Sequence, residues 1–306
     1  LAIITCSSFL RLIGRILAGE ESTLFQILND RRLQIIFYVG LLVFTFFTIR
    51  GLEHRLVFAP SSEWARDLPA SATELIFKSP ETITSYKTLN LSETITSYKT
   101  LNLSAAWFPV KGADRVIVYC HGNAGNVSHR FAVAEFLQSQ GWPVLLFDYR
   151  GYGKSEGAPD RWGLLSDTRQ AIFEAQSLAG TDNVILYGRS LGAFAATQCA
   201  RWASALILDS PFLSLEEMAK SRGLGWVPSW LKKYHFKNEG FIESVKCPTL
   251  ILHGSADQIV PFQQGKRLAE LNPEFTEFVE IPGGRHNDSR RKGPALEALK
   301  SFINGH

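Results

Sequence analysis

The chain has 306 residues, of which 45% are hydrophobic and 20% charged, with a formal net charge of +3. This length accommodates one sizeable α/β domain plus an extension. The basic residues are dispersed and cluster only at Arg290-Arg291-Lys292, which excludes a nucleic-acid-binding surface. Cys6, Cys120, Cys199 and Cys247 show neither metal-ligand spacing nor a disulfide framework, so zinc hydrolysis and redox chemistry are set aside and no cofactor or metal is expected.

In chain order, residues 1–32 form an N-terminal segment. Phe9-Leu10, Leu12-Ile13 and Ile16-Leu17 alternate with Arg11 and Arg15, a pattern that suits a short helix at a membrane surface. The chain begins on Leu1, not Met, which leaves its true start open. Residues 33–49 hold no charge and are flanked by Arg31-Arg32 and Arg50. Those seventeen residues lie near the lower limit for a spanning helix, ~17–25. Gly51 and Leu52 lengthen the run when Arg50 snorkels. The segment is apolar all round, and no small-residue cleavage site follows Ile49. We therefore read residues 33–52 as a transmembrane anchor and 53–306 as the catalytic domain. The arginines on the two flanks slightly favour a cytoplasmic N-terminus, with the catalytic domain on the non-cytoplasmic side.

Residues 81–92 read ETITSYKTLNLS, and residues 93–104 repeat them without change. Two copies do not make a solenoid. The segment is Thr-rich and partly alternating, so one copy is expected to pair as a strand leading into Ala105-Ala106-Trp107. A recent duplication or an assembly error explains the second copy better than a functional repeat does.

Strands are predicted over 116–120, 144–148, 184–187, 205–208, 249–252 and 275–281. Helices are predicted over 127–140, 164–178, 191–202, 262–271 and 294–304. Such alternation argues for a parallel sheet covered on both faces. Between the strand at 184–187 and the helix from Leu191 lies Gly188-Arg189-Ser190-Leu191-Gly192. In that context GxSxG is a nucleophile elbow, a tight strand-to-helix turn that lifts the serine hydroxyl off the sheet. A serine needs a base, and the base needs an orienting acid. Asp257 follows the strand at 249–252 in a tight loop, and His286 follows the strand at 275–281 on a Gly-rich loop. The order Ser190, Asp257, His286 gives nucleophile, orienter and general acid/base. Asp209, at the end of another strand, is the alternative acid. His253 is read as serving its turn. For the oxyanion, the Leu191 N–H is one expected donor and the Asn123 N–H the other, with Ala124 as the alternative.

HGNAGN at 121–126, FDYRGYGKSEG at 147–157, GRSLGA at 188–193, DSPF at 209–212 and HGSADQIVP at 253–261 together resemble an α/β-hydrolase. The combination is similar to the membrane-anchored α/β-hydrolase domain-containing subgroup, which includes protein depalmitoylases and their bacterial relatives. The resemblance implies an eight-stranded, mostly parallel sheet flanked by helices. It also implies cofactor-free ester or thioester hydrolysis, with acyl esters, thioesters or acylated proteins as substrates and the bilayer as partner. Asp148, Arg150 and Gly151 belong to the same pattern and are read as structural. Residues 211–246 are expected to form a small cap, in which Trp226 and Trp230 pack inward or, alternatively, form an interfacial patch beside Lys232 and Lys233. A peptidase of the same fold, an acyltransferase and a non-catalytic interaction protein are the rival readings.

Overall fold

A computed structural model describes residues 31–81, 99–288 and 293–306, together with Arg11, residues 13–16 and Ala18. The first copy of the duplication, apart from Glu81, and the first half of the second lie outside these residues, as does most of the predicted surface helix.

The chain divides into two compact units, Leu1–Leu56 with Val227–Lys233, and Val57–Trp226 with Tyr234–His306. In the first unit helix α1 covers Arg31–Val57, five residues past the expected end of the anchor. Its apolar stretch has a mean hydropathy of 2.0, and only 6% of it is buried. It is therefore long and apolar enough to span a bilayer, or to serve as a signal segment. Arg50 lies over the Phe46 ring, 4.9 Å from its centroid. Near the helix end the backbone N–H of Lys233 donates to Glu53 Oε2.

The second unit is built on eight strands. They are β1 (Thr73–Pro80), β2 (Thr100–Phe108), β3 (Val116–Cys120), β4 (Val144–Phe147), β5 (Val184–Arg189), β6 (Ala205–Asp209), β7 (Thr249–Gly254) and β8 (Thr276–Ile281). Their order across the sheet is β8-β7-β6-β5-β3-β4-β2-β1. β1 and β2 are antiparallel, as are β2 and β4; every other pairing is parallel. Helices α2 (Phe131–Ser139), α3 (Arg161–Ala179), α4 (Leu191–Cys199), α5 (Leu215–Ser221), α6 (Phe262–Glu270) and α7 (Gly293–Gly305) complete the unit.

The central strands read as unbroken apolar runs because both faces are covered. Val116, Val118, Val184 and Leu186 pack in one core with Leu164, Ile172 and Phe194 of α3 and α4. Ile117, Tyr119, Ile185 and Tyr187 point the other way, into a core with Phe131 and Leu137 of α2 and Leu299 and Phe302 of α7. The two sets alternate along each strand, as side chains on a pleated strand must. α3 starts three residues before the predicted 164 because Asp160 Oδ1 accepts from the N–H groups of Trp162 and Gly163. It ends at Gly180, whose φ of 66° lies in the left-handed region.

Thr100–Ser104 of the second repeat copy opens β2, paired in register from Pro80↔Thr100 to Thr73↔Trp107. At this hairpin Arg150 is buried in an ion pair with Asp167 at 2.7 Å. It also donates to the carbonyls of Pro80 (2.9 Å) and Glu81 (2.8 Å), which bears out its structural reading. Residues 211–246 contain α5, a short 3-10 turn at Ser229–Leu231 and one helical turn at Glu239–Ile242. Trp226, expected to pack inward, is instead 76% exposed.

Candidate active site

β5 delivers the chain to Ser190 with φ 51° and ψ −113°, a conformation that costs a non-glycine residue on the order of 1–3 kcal/mol. The flanking glycines make this turn possible. A methyl group at Gly192 would lie 2.0 Å from the carbonyl oxygen of Cys120, and one at Gly188 would lie 2.6 Å from Ala196 Cβ. The Ser190 N–H donates to the Asp209 carbonyl at 3.0 Å, tying the elbow to the neighbouring strand. Leu191 opens α4, so its N–H belongs to a first turn that has no intrahelical acceptor.

Beyond β7 the chain turns tightly around Asp257. Its Oδ1 accepts from the N–H groups of Ile259 and Val260, both at 2.9 Å. Its Oδ2 lies 2.7 Å from His286 Nδ1 and 3.5 Å from His253 Nε2. Burial alone would raise the Asp257 pKa. The hydrogen bonds with His253 and His286 and the Val260 N–H outweigh it and hold the carboxyl well below the usual carboxylate range. An ionised Asp257 accepts only, so the Nδ1 of His286 is the donor and its Nε2 is left as a base. His253 also bonds the Val260 carbonyl at 3.0 Å, which fits the turn role read from the sequence.

The loop after β3 lies beside the elbow. A methyl group at Gly122 would come within 3.5 Å of Ser190 Cβ. In this loop the Asn123 carbonyl accepts from the Ala59 N–H (3.0 Å) and the Tyr152 hydroxyl (2.9 Å). Asn126 Nδ2 donates to the carbonyls of Ser61 (3.0 Å) and Glu63 (2.7 Å). A trans peptide points its C=O and N–H in opposite directions, so fixing the Asn123 carbonyl also fixes the Ala124 N–H. Asp148 Oδ1 accepts from the Val127 N–H at 2.9 Å and so braces the end of the same loop.

Asp209, the alternative acid, has other partners. Its Oδ2 lies 3.4 Å from Arg189 Nε and 3.3 Å from the Tyr187 hydroxyl. Arg189 went unread in the sequence because the second position of GxSxG carries no requirement of its own. The brace from residues 59–63 was equally hidden, since only the fold brings it to the loop at 121–126. Among the described residues no group of three His, Cys, Asp or Glu side chains is arranged to hold a metal.

Residues 111–240 match the family described as serine aminopeptidase, S33. The chain is 34% identical over 206 residues to the uncharacterized protein YfhR of Escherichia coli K12, an alignment that covers 64% of this chain and 72% of that protein. The chain belongs to the α/β-hydrolase superfamily. It is also 35% identical over 233 residues to the lysophosphatidylserine lipase ABHD12 of Danio rerio, covering 65% of this chain and 61% of that one. Among solved structures, the Pyrococcus furiosus esterase Pf2001 superposes with a TM-score of 0.61 at 20% identity, over 81% of this chain and 95% of that one. That likeness shows the fold. Together the relatives set the chain beside ABHD-type serine hydrolases in general, without singling out a depalmitoylase.

Proposed function

We propose that this protein is a membrane-anchored serine hydrolase that cleaves carboxylic ester or thioester bonds. The carrying observation is the 2.7 Å hydrogen bond between His286 and Asp257, taken together with the strained backbone of Ser190. Ser190 Oγ attacks the acyl carbon while His286 Nε2 takes its proton. The N–H groups of Leu191 and Asn123 receive the charge that develops on the carbonyl oxygen. His286 then gives the proton to the leaving alkoxide or thiolate, and the acyl group stays on Ser190. Water attacks the acyl-enzyme with His286 again as base, which releases the carboxylic acid and restores the serine. Asp257 stays ionised throughout and stabilises the imidazolium.

Helix α1 is assigned as the anchor, with the catalytic domain at 53–306 and a cap at 211–246. The arginine bias slightly favours the non-cytoplasmic side for the catalytic domain. An anchor together with a lipase among the relatives favours acyl lipids or acylated proteins as substrates. A second reading is amide hydrolysis, favoured by the aminopeptidase description of the matching family. The test is a panel of esters and thioesters of rising acyl length plus a peptide amide, run with the wild type and Ser190→Ala. Turnover of esters or thioesters that disappears in Ser190→Ala supports the proposal. Turnover of the amide alone transfers it to the second reading.

A further inference from the structure

We propose that Arg189 is a positioning residue for His286, fastening the histidine loop to the nucleophile elbow. This rests on the reading of Ser190, Asp257 and His286 given above. Arg189 is the last residue of β5, adjacent to Ser190, and it is only 3% exposed. In the sheet register it stands opposite Asp209, the last residue of β6. The buried Asp209 carboxylate neutralises the guanidinium at 3.4 Å.

The other end of the side chain leaves the sheet. Arg189 Nη2 donates to the backbone carbonyl of His286 and, at 2.9 Å, to Asn287 Oδ1. On its other side, Arg189 Nη1 lies within 3.9 Å of where a Gly122 methyl would stand, next to the oxyanion loop. One guanidinium thus touches the β6 terminus and the histidine loop, and borders the loop at 121–126.

His286 therefore has two holds. Asp257 takes Nδ1 and sets the tilt of the ring, while Arg189 takes the backbone carbonyl and sets where the ring stands. Gly283 and Gly284 are held by Ser255 Oγ (2.9 Å), the Ile281 carbonyl (2.9 Å) and the Ala256 N–H (3.0 Å), so the loop is fastened up to Gly284, and Arg189 carries the fastening on to His286 itself. A planar fork suits this task, since it engages the carboxylate, the carbonyl and the amide oxygen from one rigid group. Lysine would keep the charge but not the simultaneous contacts.

The experiment compares full-length wild type, Arg189→Met, Arg189→Lys and Asn287→Ala in detergent micelles. It measures kcat and KM on the best ester of the panel, the second-order rate of fluorophosphonate labelling, and hydrogen exchange of the peptide spanning the His286 loop. A misplacement of about 1 Å costs on the order of 10²-fold in rate. Arg189→Met is expected to lose about 10²-fold in kcat, with KM changed less than about threefold and labelling slowed in step. Exchange in the loop should quicken while that of α3 stays put. Arg189→Lys should fall between Met and the wild type, and Asn287→Ala should lose a smaller part. If Arg189→Met does not fold, Arg189→Lys and Asn287→Ala carry the test alone. Folded variants that match the wild type in labelling rate, kcat and loop exchange overturn the proposal and leave the hydrolase reading intact. A folded wild type that is never labelled at Ser190 overturns both.

Discussion

At the residue scale, the site is a set of local demands met by particular side chains. Asp257 receives two backbone N–H groups on one oxygen and His286 on the other, so its charge is well compensated although buried. Asp257→Asn keeps the shape but cannot hold His286 as a donor at Nδ1, and kcat should fall by about 10³–10⁴-fold with the circular dichroism spectrum unchanged. The same residue makes a pH prediction. Its folded pKa is depressed, so its stabilising contribution is complete above the unfolded value of about 4 and is lost as pH falls toward the folded one. Urea unfolding of wild type and Asp257→Asn should therefore differ most near neutrality and converge below about pH 4. Gly192→Ala would drive a methyl group into the Cys120 carbonyl, and should cost about 3 kcal/mol or more in urea unfolding. Ser190, Asp257 and His286 stand out in the sequence as candidates because each follows a strand-like run and meets a recognisable chemical need. Arg189 does not, because nothing local to its sequence says that its partners are Asp209 and the loop at His286. Those contacts exist only once the ends of β5, β6 and β8 are brought to one edge of the sheet.

At the scale of elements, the apolar runs and their punctuation gave the central strands to within a residue or two. The boundaries moved where capping chemistry acts, as at Asp160 before α3. β1 went unassigned, since exposed positions alternate with buried ones only in its second half, and Lys78 and Pro80 blur the pattern. The duplication is the more instructive case. Glu81 donates its N–H to the Lys99 carbonyl at 2.8 Å, pairs with Lys99 Nζ at 3.1 Å and offers its own carbonyl to Arg150. Deleting residues 81–92 puts Glu93 after Pro80, the same residue type with the same chain following it, and leaves the Pro80↔Thr100 register untouched. The deletion should keep full activity and, through a shorter closed loop, stabilise the domain by about 1 kcal/mol. Loss of folding would show that the extra copy is structural.

At the scale of the whole molecule, one chain joins an apolar helix to a hydrolase unit, and the residues that follow the helix brace the loop beside Ser190. The Ala59 N–H and the carbonyls of Ser61 and Glu63 all meet that loop. If α1 spans a bilayer, the full-length protein should stay with the membrane pellet through alkaline carbonate extraction and enter solution only with detergent. Release by carbonate would reduce α1 to a peripheral or cleaved segment without touching the chemistry. The chemistry depends on whether Ser190 is an activated nucleophile. The decisive measurement is the intact mass of the purified protein after treatment with a fluorophosphonate, with the site of addition mapped by peptide sequencing. A single adduct on Ser190 in the wild type, absent from Ser190→Ala and much slower in Asp257→Asn, is the predicted result. A folded wild type that gains no mass, or gains it elsewhere, contradicts the account.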